Sequence, residues 1–391
     1  MEIIQGVIRS YDWGSTTAIA ELLGRPATGE PMAELWLGAH PSGPALVGSG
    51  AMPLDRLVAQ DPAAALGPDV ALEFGALPFL LKVLAAAEPL SLQAHPSTAQ
   101  AEAGFAREEA AGIPLDSPDR SFRDRSHKPE LICALTPFEA LCGFRDPART
   151  LEVLASIDTP VLDTVSQMLR TDPSSFGLGR LFEWLLTLDF ATAAAMVEPV
   201  VSACRAAEGG PFAPERAMAA ALGERYPGDA GVVIALLLNF VTLQPGDALF
   251  LGSGNLHAYL RGTGVELMAS SDNVLRGGLT SKHVDVRALI EVVDALPVEP
   301  EIQRPDLVDG VALYHSPVPE FALSRIELDG TLTLDVGPAI LLCTAGRATC
   351  GRHALGRGTA MWVPAADGRA ELRGRATVFR AGIGLDTSLG E

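Results

Sequence analysis

Between residues 147 and about 225, apolar side chains recur at three- and four-residue spacing, while the chain on either side reads as short strands broken by turns. Leu151, Leu154 and Ala155, then Leu162, Val165 and Met168, fall on helical faces, and the pattern continues from Leu181 to Val201. This helical block is an insertion. It separates two strand-patterned stretches that must belong to one β domain if residues on both sides are to build a common site. In the first stretch, Leu77–Leu84 reads as a buried strand and Leu90–Ala94 as the next, ending at His95-Pro96. Pro96 and Ser97 then open a helix over Thr98–Glu109. Strand signals return from Val241, with a turn at Pro245-Gly246-Asp247 followed by a strand through Leu251. The final third carries further strand runs. Thr331–Val336 alternates polar and apolar residues, and Arg375–Arg380 does so less regularly, which together predict a second β-sandwich. At 391 residues the chain is too long for one ordinary core. The expected division is a β domain over 1–146 and 231–300, a helical domain over 147–230 and a C-terminal β domain over 301–391, with Pro297–Pro305 as the linker.

The charge balance removes whole classes of function. Forty-eight acidic against 29 basic residues give a net charge of −19, which leaves no basic face for nucleic acid or an anionic membrane. A small phosphorylated ligand remains compatible, because a few cations and a metal dominate the field inside one cleft. Cys133, Cys142, Cys204, Cys343 and Cys350 form no CxxC pair and are odd in number, so reduced thiols and a cytoplasmic location are expected. The N-terminus lacks the basic and apolar regions of a signal peptide, and the longest apolar run, Val232–Leu238, is too short to span a bilayer.

Two histidine segments concentrate the chemistry. One is Ser91-Leu92-Gln93-Ala94-His95-Pro96; the other is Gly254-Asn255-Leu256-His257-Ala258-Tyr259. Residues two apart in a strand face the same side, so Gln93 and His95 can address one ion together. His127-Lys128-Pro129-Glu130 adds a carboxylate whose approach Pro129 stiffens. Gln93, His95, Glu130 and His257 form a borderline to hard ligand set suited to Zn²⁺, and without a thiolate the set reads as catalytic. Taken singly, each segment also fits a hydrogen-bonded turn histidine. His40, His127, His283, His315 and His353 read as surface or hydrogen-bonding residues.

A second concentration runs from Ser270 to Lys282, where Asp272, Asn273, Arg276, Gly277, Gly278 and Lys282 combine charge with a backbone that can approach a ligand. Arg276 offers a bidentate fork and Lys282 a point charge. Lys128 is the remaining candidate. A dication on Glu130 disfavours a neighbouring ammonium, leaving an amine that can act as a base.

The chain resembles the type I phosphomannose isomerases over nearly its whole length. The resemblance rests on Tyr11-Asp12-Trp13-Gly14, on Ala33–Pro41, on Leu90–Pro96, on His127–Glu130, on Gly254–Tyr259 and on Ser271–Gly278, in order. It implies a cupin-type jelly-roll catalytic domain, for which a Pro-Gly-Asp turn before a strand and a histidine is typical. It also implies one Zn²⁺ per chain on Gln93, His95, Glu130 and His257, with Arg276 as catalytic arginine and Ser91 and Lys282 at the substrate phosphate. The implied reaction interconverts mannose 6-phosphate and fructose 6-phosphate through a cis-enediol. Lys128 or a water on the metal is the base, Asp272 and His95 assist ring opening, and Trp13 and Tyr259 wall the sugar. A monomer or weak homodimer is expected. Thr280-Ser281-Lys282 departs slightly from the family's Thr-Pro-Lys wording. Two other readings compete: a metal-dependent isomerase of another sugar phosphate, and a cupin that binds sugar without turnover. Retention of all four ligands and Arg276 speaks against the second.

Overall fold

The computed structural model describes residues 1–48, 52–335 and 337–384. Val336 and residues 385–391, which the patterning assigns to the C-terminal β unit, lie outside the described residues. The chain is mainly β, with a helical block between two strand-rich stretches and a second large sheet toward the C-terminus, as the sequence predicts.

The central strand of the first sheet system is His257–Ala269. It pairs antiparallel with Phe79–Ala86 on one side and Glu130–Ala134 on the other. Its opening residues pair instead with Gln93–Ala94 and Phe138–Phe144. The register shifts between Tyr259 and Arg261, and Gly262 follows at φ 130°. A Cβ at Gly262 would stand 2.7 Å from the Phe138 ring, so glycine lets the strand cross from one sheet to the other. The shift also changes which residues face inward. Before it, Tyr259 lines the cleft and Ala258 and Leu260 pack outward; after it, Glu266 and Met268 line the cleft and Val265 and Leu267 pack outward.

Period-two alternation sorts the neighbouring strand in the same way. Phe79, Leu81, Val83 and Ala85 enter the core shared with the C-terminal sheet, while Leu80, Lys82 and Leu84 line the cleft. The strand starts at Phe79, one residue after Pro78, which has no N–H for the ladder. The expected strand Leu90–Ala94 contracts to Gln93–Ala94, and His95 follows its end. Single bonds carry the approach to it: Leu90 N–H donates to Tyr259 O at 2.9 Å and Leu92 N–H to Gly278 O at 3.1 Å. The helix after it, Thr98–Ala110, is opened by a capping box between Ser97 and Gln100.

Helices Pro147–Ala155, Asp163–Thr171, Ser175–Leu186, Phe190–Ala206, Ala213–Arg225 and Gly231–Leu236 make up the inserted block. Asp146, Ser174 and Asp189 cap three of them through backbone N–H groups. Leu178, Leu181, Phe182 and Leu185 form one fully buried stripe, which is why this helix packs inward. Among the described residues, no single helix is long and apolar enough to cross a membrane.

Two expectations about the C-terminal unit need correction. Its sheet runs through Val311–Tyr314, Ala322–Asp335, Arg369–Gly382, Ala339–Cys350 and Ala360–Val363, but continues into Glu2–Gln5, Leu46–Val47 and Met52–Pro53. Local patterning groups these N-terminal strands with the site. Ile3 instead sits opposite Met361, a pairing that no local pattern reveals. The expected linker Pro297–Pro305 is also not free-standing. Ile302–Gln303 adds to the first sheet opposite Leu249 and Ala248, and Val298 N–H donates to Phe144 O at 2.9 Å. The first and last thirds therefore share one apolar core.

Candidate active site

Three ligand-type side chains meet at one end of the first sheet system. Glu130 opens strand Glu130–Ala134, His257 opens strand His257–Ala269, and His95 follows Gln93–Ala94. Their ligand atoms lie within 4.8 Å of one another, and the residues are 2%, 0% and 0% exposed. His95 Nε2 is 3.2 Å from Glu130 Oε1, and His257 Nε2 is 3.6 Å from Glu130 Oε2.

Their other bonds fix which atoms face the centre. His95 Nδ1 is 2.7 Å from Asn273 O, and His257 Nδ1 is 3.0 Å from Asn255 O. A carbonyl only accepts, so each Nδ1 carries the proton and each Nε2 keeps its lone pair. His95 Nε2, His257 Nε2 and Glu130 Oε2 have no hydrogen-bond partner although they are buried. Orphaned lone pairs are costly in a protein interior, and a dication is the group that satisfies all three at once. The residues fit zinc.

The charge states agree with that fit. Burial pushes His95 down to about 4, keeping it a neutral ligand. Burial alone would raise Glu130, but Lys128 Nζ at 2.9 Å and the two imidazoles outweigh it and hold the carboxyl well below its usual range. Neutral imidazoles and an ionised carboxylate are the forms that bind a metal. Gln93 is the cross-strand partner of His257 on one side and of Arg276 on the other, and lines the cleft with Glu130.

Asn273 organises the surroundings. Fully buried, it gives its carbonyl to His95, and its Oδ1 accepts from the N–H groups of Arg123 at 2.7 Å and Asp124 at 3.2 Å. Its amide donates to Asp124 O at 3.0 Å and Ser126 O at 2.9 Å. One residue thus ties a ligand histidine to the loop that carries Arg123 and, a few residues on, Lys128. Asn273→Ala keeps the main-chain carbonyl that His95 uses but removes the buried side-chain bonds to the loop, so it is expected to destabilise the fold by about 1–3 kcal/mol. Thermal unfolding measures it, and an unchanged melting temperature would show that the loop holds without the Asn273 side chain.

The cleft beside this cluster has a volume of about 1280 Å³. Trp13, Ser91, Lys128, Tyr259, Asp272, Arg276 and Lys282 all line it, so the folded chain brings together the candidates that the sequence spreads widely. Trp13 stacks on Tyr11 with ring centroids 5.6 Å apart, and Lys282 Nζ lies 5.7 Å from the Tyr11 ring. Among the described residues, Arg276, Lys282 and Arg123 have no carboxylate partner. Burial and then the Arg123 charge lower Arg276; burial, Arg276 and Arg123 lower Lys282. In a chain of net charge −19, such an unneutralised group gives the cleft a local positive field suited to an anion.

One reading of the histidines is narrowed. His40, expected as a surface or hydrogen-bonding residue, is the latter: it is 3% exposed, its Nδ1 accepts from Ser42 N–H at 3.3 Å, and it lines the cleft with Nε2 3.6 Å from Asp272 Oδ1.

A buried ionic group in the cleft wall escaped sequence reasoning. Lys82 Nζ is 2.9 Å from Glu266 Oε2 and 3.4 Å from Glu34 Oε1, and Trp36 Nε1 donates to Glu34 at 2.8 Å. Burial disfavours the Lys82 ammonium, but Glu266 and Glu34 outweigh it and raise its pKa. Glu266 is itself raised, because burial and the nearby Glu130 and Glu34 together exceed the help from a lysine it shares. The available signal was a lone charge inside an otherwise apolar strand, at Lys82 within Leu77–Leu84 and at Glu266 between Val265 and Leu267.

Comparison with known proteins gives a consistent result. The family described as phosphomannose isomerase type I, catalytic domain, matches residues 1–147. The mannose-6-phosphate isomerase of Escherichia coli K12 is 39% identical over 357 residues, covering 89% of this chain and 90% of that protein. The apo crystal structure of mannose 6-phosphate isomerase from Salmonella typhimurium is 35% identical and superimposes with a TM-score of 0.90, covering 98% of this chain and 99% of that one. A zinc-bound structure of mannose 6-phosphate isomerase gives 35% identity and a TM-score of 0.88, with the same coverage.

Proposed function

The chain belongs to the type I phosphomannose isomerase family, and from that premise we propose that Gln93, His95, Glu130 and His257 hold the single Zn²⁺ of an enzyme that interconverts mannose 6-phosphate and fructose 6-phosphate. The observation that carries this reading is the set of orphaned ligand atoms on His95, Glu130 and His257, set in a cleft that also contains Arg276 and Lys282, which have no carboxylate partner among the described residues. When bound, zinc supplies Lewis-acid charge beside the sugar oxygens where negative charge develops.

The protein groups divide the remaining work. Lys128 takes the C2 proton of the open-chain aldose and returns it to C1. Over the same step, the hydroxyl proton leaves O2 and O1 gains one, so nothing is lost or added. Arg276 faces the oxygen that becomes anionic in the cis-enediol, where a preorganised guanidinium is most effective. Ser91 and Lys282 take the phosphate. Asp272, with His40 beside it, handles the ring-opening proton, and Trp13 and Tyr259 wall the sugar. The location is the cytoplasm, in keeping with five buried free thiols, and the state is a monomer or weak homodimer; light scattering tests the latter.

A coupled assay in deuterium oxide tests the function. EDTA should abolish turnover of mannose 6-phosphate, zinc should restore it, and glucose 6-phosphate should serve poorly. Lys128→Ala should lose deuterium wash-in at C2; full exchange in that variant would remove Lys128 as the base. A zinc-loaded protein without turnover would leave only a sugar binder.

A further inference from the structure

The helical block reaches the cleft at Asp229, which lines it together with Gly228 and Gly231. The two carboxylate oxygens of Asp229 have separate tasks. Oδ1 accepts from Gly231 N–H at 2.7 Å, closing a local turn. Oδ2 accepts from Leu279 N–H at 2.8 Å, fifty positions along the chain. Leu279 has φ 53°, a left-handed conformation that among non-glycine residues described here only Phe212 and Asp309 share. Its side chain is buried, so the backbone is strained while the side chain is held.

The contact is built for close approach. A Cβ on Gly231 would lie 2.9 Å from the Leu279 nitrogen, and one on Gly278 would lie 3.0 Å from Asp229 Oδ1. Gly277 N–H donates to Leu92 O at 2.8 Å, so the same loop also grips the segment that leads to Gln93. Arg276 precedes this loop and Lys282 follows it.

We propose that Asp229 is a positioning residue: through the Leu279 N–H it holds the Gly277-Gly278-Leu279 loop and so sets where Arg276 and Lys282 stand in the cleft. The inserted helical block thereby acts on the chemistry through the backbone of that loop. This rests on the reading above for what Arg276 and Lys282 do; the placement of the loop does not.

The test uses the full-length zinc enzyme with Asp229→Ser and Asp229→Asn. Each retains an oxygen for Gly231 N–H and removes the acceptor facing Leu279 N–H; the asparagine amide adds a repelling donor. Amide hydrogen exchange over 276–282 should quicken in both, while zinc content and exchange at Glu130–Ala134 stay at wild-type values. The ratio kcat/KM for mannose 6-phosphate should fall by about 10-fold to 100-fold, the cost of misplacing a reacting group by about 1 Å, and more in Asp229→Asn. Both kcat and KM should move, because both cations shift. Unchanged exchange over 276–282, or a kcat/KM within twofold of wild type, overturns the proposal. So does a loss of activity that follows zinc loss alone. Wild-type protein that fails to turn over would sink the isomerase reading, and the exchange result would still judge Asp229.

Discussion

Glu130→Gln should purify with little zinc and with kcat/KM for mannose 6-phosphate reduced by at least about 100-fold, since losing mere support for a ligand already costs up to that factor. The change preserves shape and removes the charge. Glu130 is the anionic member of the orphaned trio, and both imidazoles and Lys128 are arranged around its two oxygens. An amide replaces one lone-pair oxygen by a donor aimed at His95 or His257, whose Nε2 atoms are then turned from ligands into acceptors. Lys128 also loses the carboxylate oxygen 2.9 Å from its Nζ, so metal loss should come with a lower melting temperature. Metal analysis by mass spectrometry and a coupled assay read both effects. Full zinc content with turnover within tenfold of wild type would remove Glu130 from the metal site.

Arg276→Ala is expected to lower kcat by about 100-fold to 1000-fold, the usual loss when one preorganised oxyanion donor is removed. KM should change by much less. Arg276 has no ion pair among the described residues, is partly buried, and stands near Arg123 and Lys282. An arrangement of that kind stores unfavourable charge in the free protein and releases it as negative charge grows on the substrate. The same reasoning predicts that Arg276→Ala melts no lower than wild type, because removing an unpaired cation costs the fold nothing. Arg276→Lys should recover part of kcat, since it returns the charge without the planar fork. A rise in KM alone would make Arg276 a ground-state binder.

Much of the site is legible in the chain because local rules place it. Glu130 and His257 each open a strand after a proline or a glycine turn, and His95 follows a strand end before a capped helix. Such positions put side chains at one edge of a sheet, where ligands gather. The buried network did not show itself, because Glu34, Lys82 and Glu266 come from separate strands and each looks alone like an interruption of an apolar run. The place of His40 in the cleft is hidden for the same reason. Its burial depends on Trp36 at a ring distance of 5.1 Å and on Asp272, and neither is apparent from its own neighbours.

Periodicity and turn chemistry determine what each stretch of this chain becomes: strands before residue 147, helices through the insertion, strands again after it. They act over a few residues, so the sequence by itself reaches them. Residues far apart in the chain meet only through the free energy of burying whole faces together, which no short pattern encodes. The tertiary structure therefore decided that Ile3 pairs with Met361, that Ile302–Gln303 closes the first sheet, and that the shift near Gly262 turns Glu266 toward the cleft. It also decided that a carboxylate of the helical block holds the loop between Arg276 and Lys282.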